Sequence, residues 1–234
     1  MVAKCGEKRI WHWAHLGRLM CDQWWENETE WHRAWKDHFP VSWQEFIHRS
    51  ETGEKHIADV KTDQGWVLEF QNSYLNPDER RARDGFYPKL IWVVNGTRRK
   101  RDLEQFAKAW REGRLVNGIS FLRRMNLYGC TLLQEWADTN APIFFDLGFE
   151  SNIWWFLPKS SDGKREYVAM FPRSDFIKLH LSGAGEKIDE FEKFLNDFSN
   201  LVTAYHSSLR AQEPNQLQVI QQYAVRRAQA RRRL

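Results

Sequence analysis

The run Lys55-His56-Ile57-Ala58-Asp59-Val60-Lys61-Thr62-Asp63-Gln64-Gly65-Trp66-Val67-Leu68-Glu69-Phe70-Gln71 decides the fold. Its two flanks, 55–61 and 66–71, read as strands on either side of Asp63-Gln64-Gly65. A three-residue hairpin loop favours glycine at its last position, where the backbone turns left-handed. With that loop Thr62 pairs with Trp66, and Asp59 falls directly opposite Glu69. Alternate residues of a strand share a face, so Trp66, Leu68 and Phe70 make an apolar side and Val67, Glu69 and Gln71 the other. Cross-strand neighbours lie about 4.5–5.5 Å apart at Cβ. Two carboxylates that close repel unless a cation or a proton sits between them. A two-residue loop would put Asp59 on the opposite face and abolish the pair.

Outward from the hairpin, a helix precedes it. Asn27 with Glu30 three residues on reads as a capping box, Trp31, Ala34, Trp35 and His38 then share a face, and Pro40 ends the helix. Trp43 to His48 is a first strand. Downstream, Asn76 is a helix cap with Pro77 at the first helical position and Glu79 at the third, and that helix runs to about Gly85. Leu90 to Val94 is an unbroken apolar run, as a strand buried on both faces requires. Strand, helix, strand implies a right-handed crossover between parallel strands. The expected fold class is α/β, a mixed sheet flanked by helices.

Further on, 102–111 is an amphipathic helix, and 142–147, 153–158 and 166–171 are short strands. A long helix over 186–205 carries an apolar stripe that includes Phe191, Phe194, Phe198 and Val202. That stripe needs cover from the core, a second copy of the chain or a partner protein. The expected organisation is a Trp/His/Cys-containing segment over 1–25, a core over 26–115, a small α+β extension over 116–182, and a helical region with a basic tail over 183–234.

Composition narrows the class. No apolar run is long enough to cross a bilayer, and the first residues lack the apolar segment of a secretory signal. Three cysteines in 234 residues argue against a disulfide framework, which places the protein in a reducing cytoplasm. The formal net charge is +4. Basic residues cluster at Arg80, Arg81 and Arg83, at 98–101, at 123–124 and at 226–233, as phosphate contacts require, although solvated helix faces give the same pattern. Most of the thirteen tryptophans are expected as core anchors.

The Asp59–Glu69 pair suits Mg²⁺ or Mn²⁺, a hard cation that takes one or two protein carboxylates and completes its shell with water and phosphate oxygens. Gln71 beside them is placed to position a water or a phosphate oxygen. An amide is no general base at neutral pH, so the base must be another group or metal-activated water.

These residues also carry a family resemblance. His56-Ile57-Ala58-Asp59-Val60, then Glu69-Phe70-Gln71-Asn72-Ser73, then Arg83, Tyr87 and Ile91-Trp92, resemble the core of the CoiA-like bacterial competence proteins, a branch of the PD-(D/E)xK nuclease superfamily. His12-Trp13-Ala14-His15 resembles that family's His-Phe-Ala-His element, and Glu30-Trp31-His32 with Lys36 its first-helix motif. The resemblance spans about Cys5 to Gly96. It implies a restriction-endonuclease-like core and a metal-dependent deoxyribonuclease acting in foreign-DNA processing, recombination or defence. Asp59 and Glu69 would hold the metal, Glu30 and His32 would assist catalysis from the helix, and Lys36, Arg83 and Tyr87, with Arg80 and Arg81, would contact nucleic acid. Glu30 is equally the capping partner of Asn27, and His32 equally a packing residue.

Two departures stand out. Gln71 occupies the superfamily's usual lysine position, as in other members of this family. The family's paired-cysteine element is reduced to Cys5, so Cys5, His12, His15 and Cys21 are a candidate Zn²⁺ set at a spacing that fits no standard finger. Buried cysteines and hydrogen-bonded histidines are the plainer alternative. A non-catalytic nucleic-acid-binding module and a ribonuclease are the competing functions.

Overall fold

A short antiparallel hairpin, β1 (Val2–Gly6) and β2 (Arg9–Ala14), precedes the main body in the computed structural model, which describes residues 2–6, 9–14, 28–49, 55–116, 119–160, 163–181 and 189–212. Next come α1 (Glu30–Lys36) and three antiparallel strands, β3 (Gln44–Arg49), β4 (Lys55–Lys61) and β5 (Val67–Gln71). Helix α2 (Pro77–Phe86) crosses over to β6 (Leu90–Asn95), which is parallel to β5. Asn76 caps α2, its Oδ1 accepting the Asp78 N–H at 2.8 Å.

The chain then adds α3 (Lys100–Glu112), β7 (Arg114–Val116), β8 (Ile119–Arg124), α4 (Thr131–Trp136), β9 (Ile143–Asp146), β10 (Asn152–Phe156), β11 (Tyr167–Pro172), α5 (Arg173–Leu181) and α6 (Glu190–Gln212). Strands β3 to β11 form one mixed nine-stranded sheet in the order β3-β4-β5-β6-β9-β10-β11-β8-β7. Residues expected as a separate extension over 116–182 therefore share a sheet with the core. β9 pairs parallel to β6 at its centre, and β10, β11, β8 and β7 follow as antiparallel neighbours.

Both faces of the sheet are covered. One carries α1, α5 and α6 over a core that includes Trp35, Leu68, Phe70, Phe144, Trp155, Phe176 and Phe191. The other carries α3 and α4 over Trp92, Val94, Phe106, Leu133, Phe145 and Phe156. Side chains of this size contribute about 1.5–3 kcal/mol each when fully buried, which explains the heavy aromatic usage. The apolar stripe of α6 lies on this core: Phe191 is buried, and Phe194 and Phe198 pack on Trp155 with ring centroids 5.2 and 5.0 Å away. Lys89 fixes the approach to α6 through Asp189 at 2.8 Å and Glu192 at 3.0 Å, and the Trp66 indole N–H donates to the same Asp189. Among the described residues no helix is long and apolar enough to cross a membrane.

Candidate active site

The hairpin has the expected register. Val60 pairs with Leu68 and Lys61 with Val67, the Thr62 N–H donates to the Trp66 carbonyl at 2.8 Å, and Gly65 has φ +82°. Extended by one residue, this register sets Asp59 opposite Glu69. There the ladder is interrupted. The Phe70 N–H, which the next pair would aim at the Ala58 carbonyl, donates instead to Asp59 Oδ2 at 2.8 Å. On the other side of β4, Glu45 has φ +52°, rare for a residue with a side chain, and it lies between the Gln44–Val60 and Phe46–Ala58 pairs. Val60 belongs to the core under α1 and Ala58 to the core on the opposite face. β4 thus changes face at Asp59, and the strained Glu45 stands opposite it.

Helix α1 closes one side. Its cap is Thr29 rather than Asn27, and the reciprocal partner is His32, whose Nδ1 accepts the Thr29 N–H at 3.2 Å. Glu30 is the first helical residue and is exposed, so it is neither the cap partner nor directed into the site. His32 is buried, and its Nδ1 is committed to the cap. Ala34 and His38, expected on the packed face, are exposed, and the packed positions are His32, Trp35, Lys36 and Phe39. Lys36 is buried between Glu28 and Glu45 and bonds to both carboxylates. Burial alone would lower its pKa, but the two bonds, with further help from Asp59, raise it above the ordinary lysine value. Lys36, expected as a phosphate contact, is thus placed as an internal counter-charge to two carboxylates.

Asp59 itself is half-buried, and desolvation pushes its carboxyl up to about 6 from an ordinary 3.8. The Phe70 N–H, His32 and Lys36 oppose that rise, and Glu45 adds to it. Glu69 has a different environment. It is buried and accepts from Arg83 Nη1 at 3.0 Å, while Arg83 Nη2 is held by Glu79 one helical turn away. Desolvation would lower the Arg83 pKa, but Glu69 and Glu79 outweigh it and raise it, and Asp59 contributes too. Gln71 is buried, and its Nε2 donates to the Ser73 carbonyl and hydroxyl at 3.3 and 3.2 Å.

Two of the three arginines of α2 are turned inward. Arg80 is buried, donating to the Glu135 carbonyl and to Asp138, with its guanidinium 5.1 Å from the Trp136 ring. Arg83 serves Glu69. Tyr87 is buried in an aromatic group with His48 and Phe86. Only Arg81 of the set is exposed, and it pairs with Asp78 and Asp138. Acids from α2 itself and from other parts of the chain pair with these charges, so Arg80, Arg83 and Tyr87, expected as nucleic-acid contacts, lie buried.

Asp59 and Glu69 remain the pair suited to a hard cation. The raised pKa of Asp59 marks a carboxylate whose charge is under-compensated, a deficit that a divalent cation relieves. Such a cation would compete with Arg83 for Glu69. Among the described residues no group of three His, Cys, Asp or Glu could hold a metal, so the remaining ligands would be water and phosphate. For the candidate zinc set, Cys5 and His12 lie on β1 and β2, where only the backbone is described, and His15 and Cys21 lie outside the described residues. Glu28, Glu45 and Glu79 were missed by sequence reasoning. Only Glu79, four residues before Arg83, had a readable signal. Family models, curated proteins and solved structures were each compared with the chain, and none matches it.

Proposed function

We propose that the chain is a Mg²⁺- or Mn²⁺-dependent nuclease of the PD-(D/E)xK type, hydrolysing phosphodiester bonds in DNA. The observation that carries this is the break in the β4–β5 ladder, where the Asp59 carboxylate takes a backbone N–H directly across from Glu69. The element order supports it. Helix, three antiparallel strands, helix and a strand parallel to the third, with the aspartate on the second strand and Glu-x-Gln on the third, is the arrangement the CoiA-like resemblance implies.

The chain's own residues set up the chemistry. Phe70 fixes one Asp59 oxygen, and the fold holds Glu69 opposite it. Lys36 offsets part of the charge of Glu28 and Glu45, which limits the negative charge on the α1 side where a phosphate must approach. Gln71, braced by Ser73, offers an amide at the end of β5 to orient a water or a phosphate oxygen. A bound divalent cation supplies charge stabilisation at phosphorus and makes water more acidic. The reading places the protein in foreign-DNA processing, recombination or defence.

One observation favours a second reading. Glu69 is tied to Arg83, and no lysine stands at position 71, as in a nuclease fold that has kept nucleic-acid binding and lost catalysis. Cleavage of plasmid, linear duplex, single-stranded DNA and RNA with Mg²⁺ or Mn²⁺ separates the two. The nuclease reading expects metal-dependent cleavage that Asp59→Ala and Glu69→Ala each reduce by about 10²-fold or more. Folded wild-type protein that binds DNA and cuts none of these substrates overturns it in favour of the binding module. Cleavage confined to RNA makes it a ribonuclease.

A further inference from the structure

The loop that leaves β5 is braced and yet exposes an aromatic ring. Gln71 bonds to Ser73, the Asn72 side chain accepts from Asn95 at 2.7 Å, and Asn76 caps α2. Within this loop Leu75 is buried, whereas Tyr74 is 64% exposed. The loop lies past the C-terminal ends of the parallel strands β5 and β6, the edge at which open α/β sheets hold ligands.

Tyr74 lines a cleft of about 60 Å³ together with Ser73, Arg98, Glu135 and Trp136. That volume is too small to enclose a nucleobase, so a base would lie over the cleft against the tyrosine ring. Arg98 is half-buried there, and its ion pair with Glu135 is long, at 3.8 Å. Glu135 is already held through both oxygens by Arg99, at 2.6 and 2.9 Å. Arg98 is thus a cation beside an exposed ring, with its acid engaged elsewhere. Beyond it, exposed Lys100 and Arg101 line a larger hollow of about 440 Å³ with Gln105 and Thr131. The two hollows share one stretch of chain, 98–101, and together offer a ring followed by a row of cations. This pairing of stacking platform and basic path is what unpaired nucleic acid requires.

We infer that this edge is the substrate track for a single strand, with a base stacked on Tyr74, its phosphate on Arg98 and the next phosphates over Lys100 and Arg101. The inference rests on the nucleic-acid reading above and names its substrate: single-stranded DNA or RNA, or the unpaired end of a duplex, rather than a continuous duplex.

The test is fluorescence anisotropy with the full chain in EDTA, where metal-dependent cleavage is silent, using labelled oligo-dT and a blunt duplex of equal length. Wild type is expected to bind the single strand more tightly. Tyr74→Ala should weaken single-strand binding by about tenfold and leave the duplex unchanged, while Tyr74→Phe binds like wild type. Arg98→Ala should weaken both and lower the salt dependence by about one ion. Lys178→Ala, an exposed cation on α5, is the control and should change neither. Unaltered single-strand affinity in Tyr74→Ala, or equal losses on both substrates, overturns the inference. Cleavage that still depends on Asp59 would then show that only the track is wrong. Wild-type protein that neither binds nor cuts any nucleic acid overturns the track and the nuclease reading together.

Discussion

Asp59 is charged at neutral pH at a cost to the fold. Its folded pKa, about 6, lies above the ordinary 3.8, so the folded state holds the proton more tightly than the unfolded chain does. For an acid shifted in that direction, stability is greatest below the unfolded pKa, declines as pH rises from about 4 to 6, and is level above that. That difference would correspond to about 3 kcal/mol, and partial solvent access reduces it to about 1–2 kcal/mol. Asp59→Asn keeps an oxygen for the Phe70 N–H and removes the charge. In EDTA it is therefore expected to be more stable than wild type at pH 7 by about 1–2 kcal/mol, and indistinguishable from it at pH 4. Urea unfolding at the two pH values checks this, and a variant less stable at pH 7 would mean that Lys36 and His32 already compensate the carboxylate. On the nuclease reading, the affinity for a divalent cation falls as pH drops through about 6, because a proton and the cation compete for the Asp59 carboxylate. A residue that costs stability where it is charged is what a cation or substrate site supplies before its partner arrives.

Among the elements, the β4–β5 hairpin was the most legible. Alternation gave its two faces, and Asp63-Gln64-Gly65 gave its register, because one conformation at Gly65 decides which residues stand opposite. Capping of α1 was less legible. Asn27-x-x-Glu30 and Thr29-x-x-His32 overlap, and the ring nitrogen of His32 completes the second as well as a carboxylate would. The arginines of α2 were legible as a basic cluster but not as a buried one, since Asp138 and Glu135 reach them from more than fifty residues away. If Gly65 sets the register, substitutions there should be ordered by how well each residue tolerates positive φ. A Cβ at Gly65 meets nothing within 4 Å, so the penalty is backbone strain alone. Gly65→Ala is expected to destabilise by about 1 kcal/mol and Gly65→Asn by less, since asparagine visits the left-handed region more readily. Thermal unfolding should rank them wild type, Asn, Ala. Equal stability of all three would mean that the loop relaxes to another turn.

At the scale of the molecule, the sequence suggested a core ending near residue 115, because the motif-bearing elements end with the helix over 102–111. In the sheet, strands from before and after that boundary are neighbours. β6 has a strand on each side, β5 and β9, and β9 begins at Ile143, well past residue 115. Ile143, Phe144 and Phe145 on β9 are fully buried, two packing with one face and Phe144 with the other, so both cores need them. β7, although inside the expected core, pairs with β8 at the far edge, eight places from β3. Such order could not be read from the sequence, since a parallel neighbour is fixed by long-range burial and carries no local turn signal. A fragment of residues 28–116 would keep Asp59, Glu69, Gln71 and Arg83 but expose one edge of β6 and the inner faces of α1 and α3. It is expected to lack cooperative thermal unfolding and bound-probe-free behaviour, with exposed apolar surface that takes up a hydrophobic dye, while the full chain unfolds in one transition. A sharp transition in the fragment would show that the αβββαβ unit is a domain in its own right. The strands from 119 onward would then be an addition to a self-supporting unit, whereas an unfolded fragment makes them part of the framework that holds Asp59 against Glu69.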